Sequence, residues 1–442
     1  MIMQNSKNFT LQIMPCKVSG KFRLLVNLQK NLKWILFPLF VLLFNFCSGS
    51  KKIENKVQSI DASPGSRLEE IINHGGLKAA CSYSGFTGFP QYKANLHCHS
   101  HHSDGSQYCD EVAAWYLKHG YKVLSISDHD HAGDQDGGIK NNGMQNDKIV
   151  HDWNGDGVIY DTLIIKSGVE AYVRDYSMPA PAWVSRNWQL ERPGEFIILN
   201  GIECSTGHPH INAINHPAGR IVLPIEGYGF IDRCHSNDGL VIINHPYAWN
   251  NHPEKIYNDP NLSRIDGLEV MNGFLSRDTR KENNEDGSRG NAEPLWDGCL
   301  DAGLRLWGFG NDDAHTMDTS HFAGAGSAWN MIWAKELTRP AIMEAIRSGA
   351  FYATCGVIVD NVELTENSIK VSSQNATHIK VVGEGGKTLM QVAGSSAIYT
   401  LKGDEKWLRV VLWNDTICYP EPGKPKFTQK AWLQPIMIGQ LL

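Results

Sequence analysis

Short apolar runs rich in β-branched residues recur along this chain, and four of the seven end in a histidine or a carboxylate. They are Lys93-Ala-Asn-Leu-His97, Lys122-Val-Leu-Ser-Ile-Ser-Asp128, Glu195-Phe-Ile-Ile-Leu-Asn-Gly-Ile-Glu203 and His210-Ile-Asn-Ala-Ile-Asn215. Gly239-Leu-Val-Ile-Ile-Asn-His245, Ile265-Asp-Gly-Leu-Glu-Val-Met271 and Leu304-Arg-Leu-Trp-Gly-Phe-Gly310 continue the series. Stretches with helical periodicity lie between several of them, at Cys109 to His119, Glu293 to Ala302 and Arg339 to Arg347. Strands alternating with helices predict a parallel, barrel-like α/β domain. In such barrels chemistry collects at the C-terminal ends of the strands, which is where the polar residues of this pattern fall.

At 442 residues the chain exceeds a typical single domain. The α/β pattern occupies 91–356, with a polar insertion at 131–195. Inside the insertion, Asp152-Trp-Asn154-Gly-Asp156-Gly157 resembles the start of a calcium loop, with oxygen ligands at alternate positions and Gly for the sharp turn. The competing reading is an ordinary Gly/Asp/Asn turn. Beyond Tyr352 the character changes. Short alternating runs at Ile358–Leu364, Ser368–Ser372, Ile379–Val382 and Trp407–Trp413, separated by Gly/Asn/Asp turns, predict a small antiparallel β-sandwich domain over 357–442. It holds no catalytic-looking cluster, but Trp407, Trp413 and Trp432 are a large apolar payload for so small a unit.

Residues 48–90 read as a polar linker and lead-in, and 1–47 as an export segment. Lys7, Lys17, Lys21, Arg23, Lys30 and Lys33 precede the apolar run Trp34–Phe46, and no acid stands among residues 1–33. A basic n-region followed by a short apolar stretch describes a secretory signal, and the run is too short to span a bilayer comfortably. Cys47 sits where a lipoprotein's acylated cysteine would sit, although Phe46 replaces the small residue expected before it. A lipoprotein, another cleaved signal and an uncleaved anchor therefore all remain open, and each places the protein outside the cytoplasm, in the periplasm or at the cell envelope. The formal charge is −6, so the chain without its six N-terminal cations carries about −12. That balance excludes a basic track for a nucleic-acid polymer. Ten cysteines without a CxxC pair give neither a zinc-finger nor a thioredoxin signature.

Alternation along a strand turns His97 and His99 to one face and Cys98 to the other, so Cys98 is expected in the wall rather than at a metal. Asp313-Ala314-His315 repeats that spacing with a carboxylate and an imidazole. Asp128-His129-Asp130, Glu203, His210 and His245 complete the constellation, and Cys204 should face away from Glu203. A lone strand-end histidine is commonly a structural residue. Six of them (97, 99, 129, 210, 245 and 315) at successive runs point instead to a metal cluster. Imidazole with carboxylate suits Zn, Mn or Fe better than a soft thiolate site does. His101, His102, His131 and His216 read as supporting or solvated residues.

The ordered series Leu-His97-Cys-His99-Ser-x-x-Ser103-Asp104-Gly105, Ser127-Asp128-His129, Gly201-Ile-Glu203, Asn244-His245-Pro246 and Asn311-Asp-Asp313-Ala-His315 resembles the PHP (polymerase and histidinol phosphatase) family of metallophosphoesterases. Most closely it is similar to the exported branch that includes carbaryl-hydrolase-like proteins. In that branch a Ser-Gly-x-Phe-Tyr-Ala segment, here Ser348 to Ala353, leads into a β-domain ending near Ala431-Trp432-x-Gln434-Pro435. The resemblance covers about residues 91–440. It implies a distorted seven-stranded (β/α) barrel with two or three divalent ions at its mouth. Carried over, His97, His99, Glu203 and Asp313 hold one ion; Glu203, His210 and His245 hold a second, with Glu203 bridging; His129 and His315 reach a third. Trinuclear members place another histidine where Gly105 stands, and Asp104 either takes its place or acts as a general acid or base. Asp104, His129 and Glu203 are accordingly the candidates for catalytic roles.

The implied chemistry is metal-assisted hydrolysis, in which paired ions lower the pKa of a shared water toward roughly 7. The expected substrate is a small phosphomonoester or phosphodiester. The alternatives are hydrolysis of a carbamate, ester or amide by the same site, and a surface binding protein without catalysis. Phosphate calls for a neighbouring cation, for which Arg220, Arg277 and Arg280 are candidates.

Overall fold

In the computed structural model the chain divides into Met1–Ile60 and Asp61–Leu442. The structure describes residues 88–101, 103–129, 139–140, 162–166, 169–173, 191–192, 194–205, 208–216, 228–249, 252–278, 288–418 and 427–438, all in the second unit. The export segment, the calcium-like turn at Asp152, Asn154 and Asp156, and Arg220 and Arg280 lie outside the described residues. No helix among those described is long and apolar enough to cross a membrane.

The fold is mixed α/β. Its strands are β1 (Gln91–Asn95), β2 (Val123–Ile126), β3 (Ile139–Lys140), β4 (Thr162–Lys166), β5 (Val169–Val173), β6 (Ile197–Cys204), β7 (Ile211–Ile214), β8 (Leu240–Ile243), β9 (Gly267–Asn272) and β10 (Trp307–Asn311). There follow β11 (Trp329–Trp333), β12 (Phe351–Thr354), β13 (Val359–Leu364), β14 (Ser368–Ser373), β15 (His378–Gly383), β16 (Lys387–Ala393), β17 (Ser396–Thr400), β18 (Trp407–Cys418), β19 (Phe427–Leu433) and β20 (Ile436–Met437). The α-helices are α1 (Cys109–Lys118), α2 (Gly229–His235), α3 (Pro253–Tyr257), α4 (Gly273–Arg277), α5 (Glu293–Asp301) and α6 (Arg339–Arg347). Helices α1, α5 and α6 fall where the apolar periodicity puts them. Each start is chemically marked: Tyr108 N–H donates to Glu111 Oε2 at 2.9 Å before α1, while α5 and α6 carry Pro294 and Pro340 in their first turns, where a missing N–H costs nothing.

A single path of strands runs β10-β9-β8-β7-β6-β2-β1-β11-β12-β19-β18-β15-β16, with β20 on β18. The pairs β1–β2, β2–β6, β8–β9 and β9–β10 are parallel, as expected, but β6–β7 and β7–β8 are antiparallel. Only residues 205–210 separate β6 from β7, too few for the crossover that a parallel partner needs. The far end of this series folds back on its start. His99 N–H donates to Ala314 O at 2.8 Å and Asp313 N–H to His97 O at 3.0 Å, so the extensions of β10 and β1 pair in parallel through Cys98 and Ala314.

Past β1 the same sheet continues through antiparallel β11 and β12 into β19 and β18, crossing residue 357 without a break. A separate three-stranded sheet, β13-β14-β17, buries Val359, Val362, Ile369, Val371 and Tyr399 in one core with Ile379, Val381, Leu408, Val410 and Leu412. Trp407 and Trp432 are buried instead among residues of the α/β part, including Trp296, Leu268 and Val270. Polar ties accompany that packing. Gln434 donates to Gly308 O and accepts from Gly308 N, at 2.8 and 2.7 Å, and Arg409 grips Asp297 of α5 with two bonds at 2.7 and 2.9 Å.

Candidate metal centre

The structure brings all nine candidate ligands into one cluster at the rim where β1, β6, β8 and β10 end. His210 precedes β7 rather than ending it. The reversed direction of that strand carries its start to the same rim, where Asn244 N–H donates to His210 O at 3.0 Å. His208, beyond the cis peptide to Pro209, is exposed.

Buried donor atoms converge on a small volume. His97 Nε2, His99 Nε2 and Asp313 Oδ1 form a triangle with all three sides 3.2 Å. Glu203 Oε2 stands 3.5 Å from His97 Nε2 and 3.3 Å from His99 Nε2. Nitrogen and oxygen ligands held about 2.0–2.1 Å from a tetrahedral ion lie roughly 3.3 Å from one another. Five edges of such a tetrahedron are therefore present. Glu203 Oε2 is buried and makes no hydrogen bond among the described residues, although His129 Nδ1 is only 2.9 Å away. An acceptor oxygen surrounded by imidazole nitrogens fits a divalent cation, which would satisfy every one of those lone pairs.

The other oxygen of Glu203 faces a different set. Its Oε1 lies 3.2 Å from His210 Nδ1 and 3.0 Å from His245 Nε2, and accepts from Asn244 Nδ2 at 2.9 Å. A third group comprises His99, Asp104, His129 and His315. Here Asp104 Oδ1 is 3.5 Å from His129 Nε2 and Asp104 Oδ2 is 3.3 Å from His315 Nε2. Asp104 is half exposed, and His129, His315 and His210 are partly so, which places the open side of the cluster at this third group.

Electrostatics match the geometry. Burial pushes the Glu203 carboxyl up, but His97 and His129 hold it well below the usual carboxylate range. Burial likewise opposes ionisation of Asp313 and Asp104, and the surrounding imidazoles hold both far below that range. Burial lowers the His97 imidazole, and Asp313, Glu269 and Glu203 more than reverse the effect. Two of the ligand candidates, His245 and Asp313, have φ of 27° and 53°. Left-handed backbone at a non-glycine residue is costly and persists where the surroundings enforce it.

Gly105 explains one departure from the trinuclear pattern. A Cβ there would meet His99 O at 2.6 Å, while its N–H donates to Ser100 O at 2.9 Å, so no side chain fits. Asp104 supplies the polar group instead. Asp128 ties the same loop, accepting from Ser100 N, Ser100 Oγ and Ser103 Oγ at 2.6–2.7 Å. Cys98 and Cys204 are buried on the opposite faces of their strands, Cys98 in the core with α1. No disulfide joins the seven described cysteines to one another. His101 sits against Tyr108, and His216 accepts from Arg233 Nε at 3.3 Å. Arg277, a candidate phosphate partner, is buried and donates to Thr319 O, Gly324 O and Ser327 Oγ.

One functional residue was missed by the sequence reading. Glu269, in the middle of β9, is fully buried and lies 2.8 Å from His97 Nδ1. The available signal was a carboxylate between Leu268 and Val270, in a strand with no solvated face.

No family model matches the chain, and no curated protein matches it. Among solved structures it is similar to a two-domain protein from Bacteroides vulgatus containing a predicted PHP-like metal-dependent phosphoesterase. The two share 16% identity with a TM-score of 0.39, over 78% of this chain and 96% of that one. A superposition that loose transfers neither fold nor activity.

Proposed function

We propose that this chain is a PHP-type metal-dependent hydrolase acting on a small phosphomonoester or phosphodiester, with two or three divalent ions (Zn, Mn or Fe) in the cluster. The observation that carries the reading is the incomplete tetrahedron of His97, His99 and Asp313 with Glu203 Oε2, a buried carboxylate oxygen that makes no hydrogen bond among the described residues. Glu203 is the natural bridge, because its two oxygens face separate sets of imidazoles. A distorted barrel of β1, β2, β6, β7, β8, β9 and β10 is supported by the pairing of the first and last extensions, and a C-terminal sandwich by the shared core of the two β-sheets.

When bound, the ions would supply Lewis acidity at the scissile group and lower the pKa of water. The chain's own part is positioning and proton handling. Asp104, at the open side between His129 and His315, is ionised and held far below the usual carboxylate range, which suits it to join a cation rather than to donate a proton. His129 links it to Glu203, with Nε2 toward Asp104 and Nδ1 toward Glu203. The commitment of Arg277 to the 319–327 loop favours a second reading, hydrolysis of a carbamate, ester or amide, which needs no phosphate-binding cation. Export, and attachment at the envelope through the N-terminus, form part of the proposal on the strength of the 1–47 pattern and Cys47.

Purified protein should carry two or three equivalents of a transition metal. His97→Ala with His99→Ala should lose metal and turnover while keeping its circular dichroism. Full metal content in that variant would overturn the site. Turnover of phosphomonoesters, phosphodiesters and carbamates by metal-reconstituted protein separates the two substrate readings.

A further inference from the structure

Glu269 occupies the point where four of the strands that frame the cluster are tied together. Its Oε1 lies 2.8 Å from His97 Nδ1 and accepts from Asn311 Nδ2 at 3.0 Å. Its Oε2 accepts from His245 N and from Asn272 Nδ2, both at 2.7 Å. Four donors fill the four lone pairs of a carboxylate, so Glu269 has no capacity left to be a ligand itself. Three of its four partners cannot turn round. Asn311 Oδ1 accepts from Leu96 N at 3.0 Å and Asn272 Oδ1 from Leu275 N at 2.9 Å, which fixes both amides, and the His245 donor is backbone.

Fixed N–H donors take three of the four sites of Glu269, so the carboxylate stands as an acceptor and His97 Nδ1 supplies the fourth N–H. His97 Nδ1 is then protonated, and the lone pair is left on Nε2, the atom 3.2 Å from both His99 Nε2 and Asp313 Oδ1. The same group holds His245 at its left-handed backbone angle through the peptide N–H. Through Asn272 Nδ2, which also reaches Asp313 Oδ2 at 3.3 Å, it bears on a third ligand.

We infer that Glu269 is a positioning residue for the metal centre, which sets the tautomer of His97 and indexes His245 and Asp313 against it. The inference rests on the metal-hydrolase reading above. A carboxylate donating no hydrogen and orienting an imidazole is worth roughly 10–100-fold in metal affinity where such pairs have been broken. Glu269→Gln preserves shape but must turn an NH2 toward fixed donors. The one partner able to yield is the His97 ring, whose Nε2 would then carry the hydrogen and face the cluster.

The test uses the full chain loaded with Zn2+ and labelled with 15N-histidine. In wild type, His97 should show a protonated Nδ1 and a liganded Nε2, with its signals assigned by comparison with His97→Gln. Zinc competition against a chelator should give Glu269→Gln an affinity roughly 10–100-fold lower, and Glu269→Asp, which keeps a carboxylate acceptor, an affinity nearer wild type. Wild type that takes up no zinc would overturn the metal reading, and the inference with it. Zinc-loaded wild type with His97 liganded through Nδ1, or Glu269→Gln with wild-type affinity, would overturn the inference alone. The wild-type spectrum decides the question even if Glu269→Gln fails to fold.

Discussion

Arg409→Met tests how the C-terminal strands are held on the α/β part. The guanidinium is buried, bonded to Asp297 through Nε and Nη2, with Nη1 3.0 Å from Glu293 Oε2. Burial pushes the Glu293 carboxyl up, but Arg409, helped by Lys430, holds it down to about 2 against an ordinary 4.5. At about 1.4 kcal/mol per unit that is about 3 kcal/mol, in line with the roughly 3–5 kcal/mol lost when one partner of a buried pair is removed. A depressed carboxylate stabilises fully above its unfolded value and loses that contribution as pH falls toward about 2. Asp297 works in the opposite sense, because its burial outweighs the same guanidinium and lifts it above the usual range. In Arg409→Met both carboxylates lose their main counter-charge and rise, leaving only Lys430, 3.8 Å from Glu293. The variant should therefore be about 3 kcal/mol less stable near neutrality, and the deficit should narrow on acidification as those carboxyls take up protons. Urea unfolding followed by tryptophan fluorescence, near neutrality and again as pH falls from about 4.5 toward about 2, measures both quantities. A deficit below about 1 kcal/mol, or one that does not change with pH, would refute the reasoning.

Asp104→Asn should leave folding intact and cut turnover by roughly a hundredfold or more; loss of one metal equivalent marks a ligand, and a flattened limb of the pH–rate profile marks proton transfer. Cys98→Ala should cost about 1 kcal/mol in denaturant unfolding with no change in metal content, because the thiol packs with α1 away from the cluster. A chain ending at Val357 should precipitate or bind a hydrophobic dye, since it loses β19 from β12 and uncovers the surface under Trp407 and Trp432; a soluble, metal-loaded truncate without turnover would instead assign those strands to the substrate pocket.

The side chains of the site were legible because alternation is a local rule. His97 and His99 share a face and Cys98 takes the other, whatever the strand later pairs with. Direction was not legible: the apolar run of β7 reads the same in a parallel or an antiparallel sheet, so the rim to which His210, at the head of its run, is carried could not be read from the sequence. Groups that matter through their partners were also hidden. Arg409 between Leu408 and Val410 looks like a surface charge on an alternating strand, and only the covering of both faces of β18 buries it. Glu269 escaped for a related reason, since nothing local distinguishes a carboxylate that orients a ligand from one that is a ligand. The boundary expected at 357 follows a change in the sequence pattern, whereas the pairing of β12 with β19 is long-range and leaves no local trace.

The pairing of the β1 and β10 extensions also bears on when the centre comes into being. His99 and Asp313 meet across 214 residues, and Asn311 reaches Leu96 across 215. Contacts so remote in sequence form only after most of the intervening chain has been laid down and ordered. A growing polypeptide displays His97 and His99 early, but their acidic counterpart emerges last among the core ligands. The candidate cluster can therefore close only once Asp313 has been made and the strands between it and His97 have been ordered.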